Sequence, residues 1–445
     1  MEKLKLPQKI EELADTLSRP LFVVGGYVRN YLINKTLSAD IDICGDFNVD
    51  EISNASQKIG FKIVATYKRT GTVVLSIGNL KCEYTSFRKE IYAEGGNHKP
   101  IAIEFTNDIL LDAKRRDFKC NAVYYDIKNG KYLDVLGGIK DINDKILDTV
   151  IEPEKVFCSD GLRLMRLARF SSELGFTPTE KVVKVAKKYA DNISDISAER
   201  IYTELKYILN ADEKYSFSPK NAHYIGLKIL SDIGVLGKII PELELGRDMP
   251  QRKDYHNYDV LTHTLKSVLY ASKSVRLASL LHDIGKPICM INNGKYHGHD
   301  MVGVEIAQKI LNRLKVDNAT IKEIKFLVGA HMKDLDCKMG ENKVKKFIVK
   351  NYKLLPKLYA LKQADFSACK DDLSTCPTII KWKKIEKDMK RKGVPFSIKE
   401  LKISATDLIN LGYKGKDIHE TLDKLLNLCI ENPKLNVKEK LLHLI

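Results

Sequence analysis

The sequence predicts an α+β fold, with a small mixed sheet near the N-terminus followed by a mostly α-helical body. Three observations predict it. Strand-like runs are confined to residues up to about 150, where they alternate with helical ones. From about 151 onward the apolar spacing is almost wholly helical. The chain has 445 residues, more than one ordinary hydrophobic core organises, so at least two domains are expected.

The elements follow in order. Leu21-Phe22-Val23-Val24 reads as a buried strand. Gly25-Gly26 opens a turn into a helix that begins Val28-Arg29-Asn30-Tyr31. Backbone amides at such a turn and helix start suit a triphosphate. In Ala39-Asp40-Ile41-Asp42-Ile43 the alternation places Asp40 and Asp42 on one strand face and the isoleucines on the other. Two carboxylates side by side are costly without a cation between them, and Mg²⁺ takes oxygen ligands. This is the equipment of two-metal nucleotidyl transfer; the plainer alternative is a glycine turn and an unrelated, solvated Asp pair. Thr72 to Ile77 and Lys81 to Phe87 read as paired strands around Gly78-Asn79, and Glu83 is a candidate third carboxylate or an ordinary polar strand residue. Lys89 to Pro100, with Gly95-Gly96-Asn97, reads as a mobile loop.

Lys114-Arg115-Arg116-Asp117-Phe118-Lys119-Cys120-Asn121 sets cations beside an acid and an amide. The cations suit a triphosphate and Asn121 a sugar hydroxyl or phosphate; the alternative is a solvated helix start. Tyr132 to Gly138 reads as a strand ending in a turn whose glycines allow tight backbone packing. In Ser159-Asp160-Gly161-Leu162-Arg163-Leu164-Met165-Arg166, helical spacing puts Asp160 and Arg163 on one face, with Ser159 as a good N-cap. Asp accepts from an exocyclic amino group and Arg donates to a ring nitrogen. Cytosine and adenine both present that edge, so one fixed Asp/Arg pair can select C and A without a nucleic-acid template. The alternative is an intrahelical salt bridge.

Further on, His263, the neighbours His282-Asp283 at the end of an apolar helical run, His297, His299, His331 and Asp365 stand in helical sequence. A buried His-Asp pair needs a partner for its charge, and a divalent metal shared with a distant His and Asp supplies one.

Net charge is +16 with a pI near 9.1, which suits a polyanionic partner, although the basic residues are widely spread. The nine cysteines form no CxxC pair, which fits reduced thiols in a cytosol and argues against a zinc knuckle or disulfide framework. The sequence offers no apolar window long enough to span a membrane, and Met1-Glu2-Lys3-Leu4-Lys5 does not read as a signal peptide. A cytoplasmic protein is expected. Pro241 to Lys253 carries the densest break signals in the middle of the chain.

Over roughly residues 20 to 240 these motifs together resemble the class II tRNA nucleotidyltransferase and poly(A) polymerase family, of the polymerase-β-like superfamily. The resemblance rests on Gly25-Gly26-x-Val28-Arg29, Asp40-x-Asp42, Arg115-Arg116-Asp117-Phe118 with Asn121-Ala122, Asp134 with Gly137-Gly138, Asp160-x-x-Arg163, and Glu199-Arg200-Ile201 with Glu204-Leu205. It implies that Asp40 and Asp42 hold catalytic Mg²⁺. It implies a nucleotide site made of Gly25, Gly26, Arg29, Arg115, Arg116, Asp117, Asn121, Asp160, Arg163 and Arg166, in which Asp160 and Arg163 read the base. Three positions depart from the family pattern: Asn30 where Asp is usual, Lys119 where Thr is usual, and Ser159 where Glu is usual. Residues 255 to 370 resemble an HD phosphohydrolase domain. That resemblance implies His263, His282, Asp283 and Asp365 as ligands of Ni²⁺, Co²⁺ or Mn²⁺, with His299 and His331 as candidates for a second site; the alternative is an HD-like fold that has become structural. The implied organisation is a head at 1–150, a helical neck for base recognition and RNA binding at 151–245, the HD domain at 246–375 and a helical tRNA-binding tail at 376–445. The implied function is CCA addition to tRNA from CTP and ATP, with no membrane and no obligatory protein partner. The loop from Phe87 to Pro100 argues against a CC-only enzyme. The alternatives are a poly(A) polymerase of the same family, or an HD phosphohydrolase whose head only binds nucleotide.

Overall fold

In the computed structural model, residues 2–37, 40–92 and 100–445 are described. The Gly95-Gly96-Asn97 segment expected to form a loop lies outside them. The chain divides into two compact units, Met1–Pro241 and Glu242–Ile445.

The first unit is built on a seven-stranded sheet. Its strands are β1 (Phe22–Val24), β2 (Asp40–Gly45), β3 (Lys62–Tyr67), β4 (Thr72–Ile77), β5 (Leu80–Ser86), and two later ones named below. A separate hairpin pairs β6 (Arg88–Ile91) with β7 (Ala102–Phe105). The sheet is completed by β8 (Tyr124–Asp126) and β9 (Lys131–Leu133), giving the order β3-β4-β5-β2-β1-β8-β9. It is mixed: β2 runs parallel to β5 and the other pairings are antiparallel. β1 lies between β2 and β8 and is buried throughout, which explains its unbroken apolar run. β2 alternates instead, with Ile41 and Ile43 in the core and Asp40 and Asp42 outward, as its sequence requires.

The helices of this unit are α1 (Gln8–Thr16), α2 (Gly26–Asn34), α3 (Val49–Lys58), α4 (Ile109–Lys114), α5 (Gly138–Asp144), α6 (Pro153–Ser159), α7 (Leu162–Leu174), α8 (Glu180–Lys188), α9 (Ala198–Leu209), α10 (Ala222–Asp232) and α11 (Val235–Ile239). Their starts are chemically specified. Asn48 and Glu51 form a capping box at α3, and Thr179 caps α8. α5 begins where the Asp134 carboxylate accepts from the amides of Gly138 and Ile139. A Cβ on Gly138 would lie 2.1 Å from the Lys119 carbonyl oxygen, so the backbone packing there requires glycine.

The helix expected through Asp160 and Arg163 is interrupted. α6 stops at Ser159, Asp160 is extended, and α7 starts at Leu162. The reason is a close approach: a Cβ on Gly161 would lie 2.1 Å from the Asn192 carbonyl oxygen. Ser159 therefore closes α6 rather than capping α7; the Asp160 carboxylate does that, accepting from Leu162 N at 2.9 Å.

After α12 (Pro241–Glu244), where the units divide, the second unit is helical. It contains α13 (Val260–Tyr270), α14 (Arg276–Leu281), α15 (Lys286–Asn293), α16 (His299–Arg313), α17 (Asn318–Ala330), α18 (Glu341–Lys350) and α19 (Leu355–Lys370), followed by shorter and longer helices to residue 442. Asp259 caps α13 and Asp317 caps α17. Near the C-terminus Leu408, Leu422, Leu425, Cys429 and Leu441 form a small apolar cluster of their own. No helix among the described residues is long and apolar enough to cross a membrane.

Candidate functional sites in the head and the HD unit

The head candidates converge on one cavity of about 500 Å³, a volume that holds a small-molecule ligand. Gly25, Gly26, Arg29, Asp40, Asp42, Arg115, Arg116, Asp117, Asn121, Asp160, Arg163 and Arg166 all line it.

Asp40 and Asp42 reach it from the outward face of β2. Burial by the cleft walls pushes the Asp42 carboxyl above its ordinary value, Arg116 opposes this, and the Asp40 charge adds to it. Glu83 stands beside Asp42 in the parallel β2–β5 register, and burial and the Asp42 charge push it up as well. Asp40 and Asp42 line this cavity, while Asp42 and Glu83 both line a second one of about 210 Å³. Gly25, at φ 76°, lets the chain turn against these carboxylates; a Cβ there would strain the backbone and lie 3.1 Å from Asp42 Oδ2.

The cations are held from behind. Asp112, fully buried, accepts from Arg115 Nε at 2.7 Å, from Arg116 Nη2 at 3.2 Å and from the Tyr124 hydroxyl at 2.7 Å. Nothing in its spacing marked Asp112 in the sequence, because its partners depend on β8. The Arg-Arg-Asp motif lies at the end of α4 and beyond it, so it is not a solvated helix start. Arg29 is almost fully buried. It donates to Asn121 Oδ1 at 2.5 Å, to Asn30 Oδ1 at 2.9 and 3.1 Å, and to the Tyr215 hydroxyl at 3.1 Å. Asn30 therefore supplies an acceptor oxygen to Arg29 despite the missing carboxylate charge.

Asp117 does not point freely at a ligand. It accepts from Arg166 Nε at 2.7 Å and from the Asn121 amide at 3.0 Å, and with these donors its carboxyl is held far below the carboxylate range in spite of its burial. Arg166 thus contacts both Asp117 and the cavity. Lys119 pairs with Asp148 at 2.5 Å. Arg163 makes no ion pair with Asp160; it donates to the Arg115 carbonyl at 2.6 Å and to Ser159 Oγ at 3.0 Å. The intrahelical salt bridge is therefore absent, and both side chains line the cavity from the bend between α6 and α7.

The cavity also includes Glu90, Arg169, Arg200, Lys214 and Tyr215. Arg169 continues a stripe of Arg163, Arg166 and Arg169 along α7, a signal present in the sequence. Arg200 belongs to the Glu199-Arg200-Ile201 motif noted in the sequence, whereas Glu90, Lys214 and Tyr215 arrive from distant segments and no local spacing marks them.

In the second unit His263 lies on α13, His282 and Asp283 directly after α14, and Asp365 on α19. Their ligand atoms lie within 4.8 Å of one another. His263 Nε2 is 3.0 Å from Asp365 Oδ1 and 3.2 Å from Asp283 Oδ2; His282 Nε2 is 3.2 Å from Asp283 Oδ2. His282 Nδ1 donates to the Ser279 carbonyl at 2.7 Å, so in the neutral ring Nε2 carries the lone pair, and this buried atom has no hydrogen bond of its own. Carboxylate oxygens facing an imidazole lone pair in a dry site are the arrangement a divalent cation resolves. Asp283, His299 and His331 form a second group. His297 stays exposed and joins none of the described groups. Lys286, not singled out by spacing, lies 2.7 Å from Asp283 Oδ2.

Three family models match the chain in order. They are the poly A polymerase head domain over residues 21–148, the probable RNA and SrmB-binding site of polymerase A over 175–245, and the HD domain over 260–364. The chain thus carries a poly A polymerase head domain, the RNA-binding region found with it and an HD domain. It is 33% identical over 282 residues to the A-adding tRNA nucleotidyltransferase of Deinococcus radiodurans, covering 59% of this chain and 61% of that protein. It is 34% identical over 189 residues to the CCA-adding enzyme of Bacillus subtilis, covering 42% and 46%. The match therefore spans less than two thirds of these relatives' lengths. The Multifunctional CCA protein of Pasteurella multocida is 28% identical over 319 residues, with 67% and 70% covered. Among solved structures, the Bacillus stearothermophilus CCA-adding enzyme in complex with CTP has the same fold, with TM-score 0.64 and 21% identity over 97% of this chain and 94% of that one. The Thermotoga maritima CCA-adding enzyme complexed with tRNA has TM-score 0.62 and 17% identity, over 99% and 97%. Among the described residues, the second unit contains groups of His, Asp and Cys side chains able to hold a divalent metal ion.

Proposed function

We propose that this protein is a CCA-adding tRNA nucleotidyltransferase acting in the cytoplasm, with a metal-dependent phosphohydrolase site in its HD unit. The observation that carries the reading is that one cavity joins the Asp40–Asp42 face, the Gly25–Gly26 turn and the Asp160/Arg163 bend. Bound Mg²⁺ would supply Lewis-acid stabilisation of the developing charge, and Asp40 and Asp42 are the carboxylates that would hold it. The turn and the first amides of α2 receive phosphate oxygens, and Arg115 and Arg116 set positive charge beside them. Asp160 accepts from the exocyclic amino group and Arg163 donates to the ring nitrogen, which admits cytosine and adenine and leaves the uracil and guanine edges mismatched. The tRNA 3′-hydroxyl attacks the α-phosphate of CTP or ATP and pyrophosphate leaves. The net charge of +16 favours a tRNA held by backbone and shape. In the division expected from the sequence, residues 1–150 carry the chemistry, 151–245 base and RNA recognition, and 376–445 a further tRNA contact. In the HD unit His263, His282, Asp283 and Asp365 would hold Ni²⁺, Co²⁺ or Mn²⁺, since imidazole ligands suit those ions.

The Deinococcus relative, named as A-adding, favours a second reading in which only the final A, or a run of A, is added. One experiment separates them: full-length protein, tRNA ending before CCA, and each labelled nucleotide in turn. CCA addition requires C incorporation before A. Incorporation of ATP alone supports the A-adding or poly(A) reading. No incorporation with any nucleotide, beside metal-dependent phosphate release, leaves the HD unit as the principal activity.

A further inference from the structure

The His/Asp ligand set leaves one of its own buried atoms unused. His263 is fully buried, its Nε2 lies 3.0 Å from Asp365 Oδ1, and its Nδ1 has no hydrogen-bond partner. A carboxylate only accepts, so in this pairing the neutral ring carries its proton on Nε2 and its lone pair on Nδ1. An imidazole that donates to a carboxylate through one nitrogen is oriented to offer the other to a metal.

Two further donors gather with it. His256, in the segment before α13, sets its ring edge-on to the His263 ring, with centroids 4.8 Å apart, and its Nδ1 is likewise a buried atom without a partner. Cys369, near the end of α19, carries a free thiol. The thiol reaches the Asp365 carbonyl at 3.3 Å, a weak bond that a metal can replace. One ligand atom from each of His256, His263 and Cys369 lies within 4.8 Å of the others, and Cys369 is the only cysteine among the described residues in such a group. The segment that carries His256 is tied down. Asn257 N donates to the Cys369 carbonyl at 2.9 Å, Lys370 Nζ to the Asp254 carbonyl at 2.7 Å, and the Tyr258 hydroxyl to the Asp371 carboxylate. Each bond joins this segment to the end of α19, more than a hundred positions later, so His256 and Cys369 are held together before any ion arrives.

We infer that His256, His263 through Nδ1, and Cys369 form a thiolate site for Zn²⁺, separate from the His/Asp ligand set of the proposed function. Two imidazoles and a thiolate are a zinc donor set, and three protein ligands leave a fourth tetrahedral position for water or an anion oxygen. The coordinating thiol releases its proton to solvent on binding. The sulfur sets this site apart from the oxygen-rich ones that Mn²⁺ and Mg²⁺ favour. Occupancy here bears on the HD ion. A neutral imidazole has one lone pair, so serving Zn²⁺ through Nδ1 leaves a proton on Nε2, the atom that faces Asp283 and Asp365. Zn²⁺ held by Cys369 therefore takes His263 away from the HD ion. This competition rests on the HD-ion reading above; the thiolate site does not.

The test uses Co²⁺ in place of Zn²⁺, because thiolate ligation gives Co²⁺ an intense near-ultraviolet charge-transfer band. The full chain carries Asp40→Asn and Asp42→Asn, so that head ions do not contribute. The band is expected in this parent, and Zn²⁺ should bleach it. Adding Cys369→Ala should abolish it, and adding His256→Ala should weaken Co²⁺ binding by at least ~10-fold. Neither residue belongs to the His/Asp ligand set, and Cys369→Ser replaces the alanine variant if circular dichroism shows that it does not fold. No band in the parent, or an unchanged band without the thiol, overturns the site. Mn²⁺ then tests the competition: it should weaken Co²⁺ binding at the thiolate in the parent and not after Asp283→Ala. A band indifferent to Mn²⁺ in the parent, or displaced equally in both chains, overturns the sharing of His263. A band in a parent that retains no Mn²⁺ overturns the HD-ion reading and keeps the thiolate site.

Discussion

Asp42 has Asp40 two positions away on the same strand face and Glu83 beside it in register. Removing one carboxylate from such a set changes the charge that can hold a cation without touching the core, since Ile41 and Ile43 carry the packing of β2. Asp40→Ala or Asp42→Ala is expected to cut nucleotide incorporation by more than ~10²-fold, the scale on which one group aimed at transition-state charge acts. The melting temperature should stay near that of the parent. Labelled CTP incorporation beside thermal denaturation checks both, and near-normal incorporation by either variant would falsify the metal assignment. Base choice is tested at Asp160 and Arg163. Asp160 also caps α7, so alanine there confounds recognition with about 1 kcal/mol of lost capping. Asp160→Asn keeps a capping oxygen and replaces a pure acceptor by a mixed amide edge. Both Asp160→Asn and Arg163→Ala should lose about 1–3 kcal/mol of discrimination, because each leaves a base polar group unpaired. Competition of UTP and GTP against CTP measures it, and unchanged exclusion in both variants would remove the pair from base selection.

At the scale of elements, the sequence was readable wherever the cause was local. The apolar run before Gly25-Gly26 announced β1 and α2, and the Asp40–Ile41–Asp42–Ile43 alternation announced the open face of β2. The bend between α6 and α7 was not readable. Spacing of three residues suggested one continuous helix, but Gly161 packs its Cα against the Asn192 carbonyl, a contact with a residue 31 positions later. Asp112 and Tyr215 were hidden for the same reason: each gains its role from a partner brought by another element. Asp117, singled out as a ligand group, lines the cavity, but its clamp by Arg166 and Asn121 was not legible in the sequence. The bend yields its own prediction. In Gly161→Ala the added Cβ would sit 2.1 Å from the Asn192 oxygen, so the backbone must move. Overpacking of this kind costs about 1–3 kcal/mol, and here it also displaces Asp160 and Arg163. The expected result is a lower melting temperature together with weaker rejection of UTP. Loss of stability with base choice intact would show that the bend does not position the pair.

At the scale of the whole molecule, the two candidate centres belong to different compact units, and the proposed function assigns them different ions. At the proposed HD metal site, proton and metal would compete for the same imidazole nitrogen. Burial alone would lower the His282 imidazole, but the Asp283 carboxylate outweighs it and raises the imidazole from 6.5 to about 10. A pKa raised on folding contributes stability that is fully present below the unfolded value and lost as pH rises through the folded one. Chelated protein should therefore lose HD-unit stability between pH 6.5 and about 10. Added Mn²⁺ should stabilise more as pH rises, because a metal binds the neutral ring. Calorimetry with EDTA and with Mn²⁺ across that range checks both slopes. The separation of the centres is tested by His282→Ala combined with Asp283→Ala. These residues hold the shared carboxylate and an imidazole of the HD cluster, more than a hundred positions beyond Arg166, and a metal site acts through its own ligands and their supports. The variant should lose Mn²⁺-, Co²⁺- or Ni²⁺-dependent hydrolysis of a cyclic-phosphate nucleotide and keep nucleotide addition to tRNA. If addition failed in a variant whose circular dichroism and head-unit melting were unchanged, the HD cluster would have to serve the head's reaction, and the assignment of two independent activities would fall.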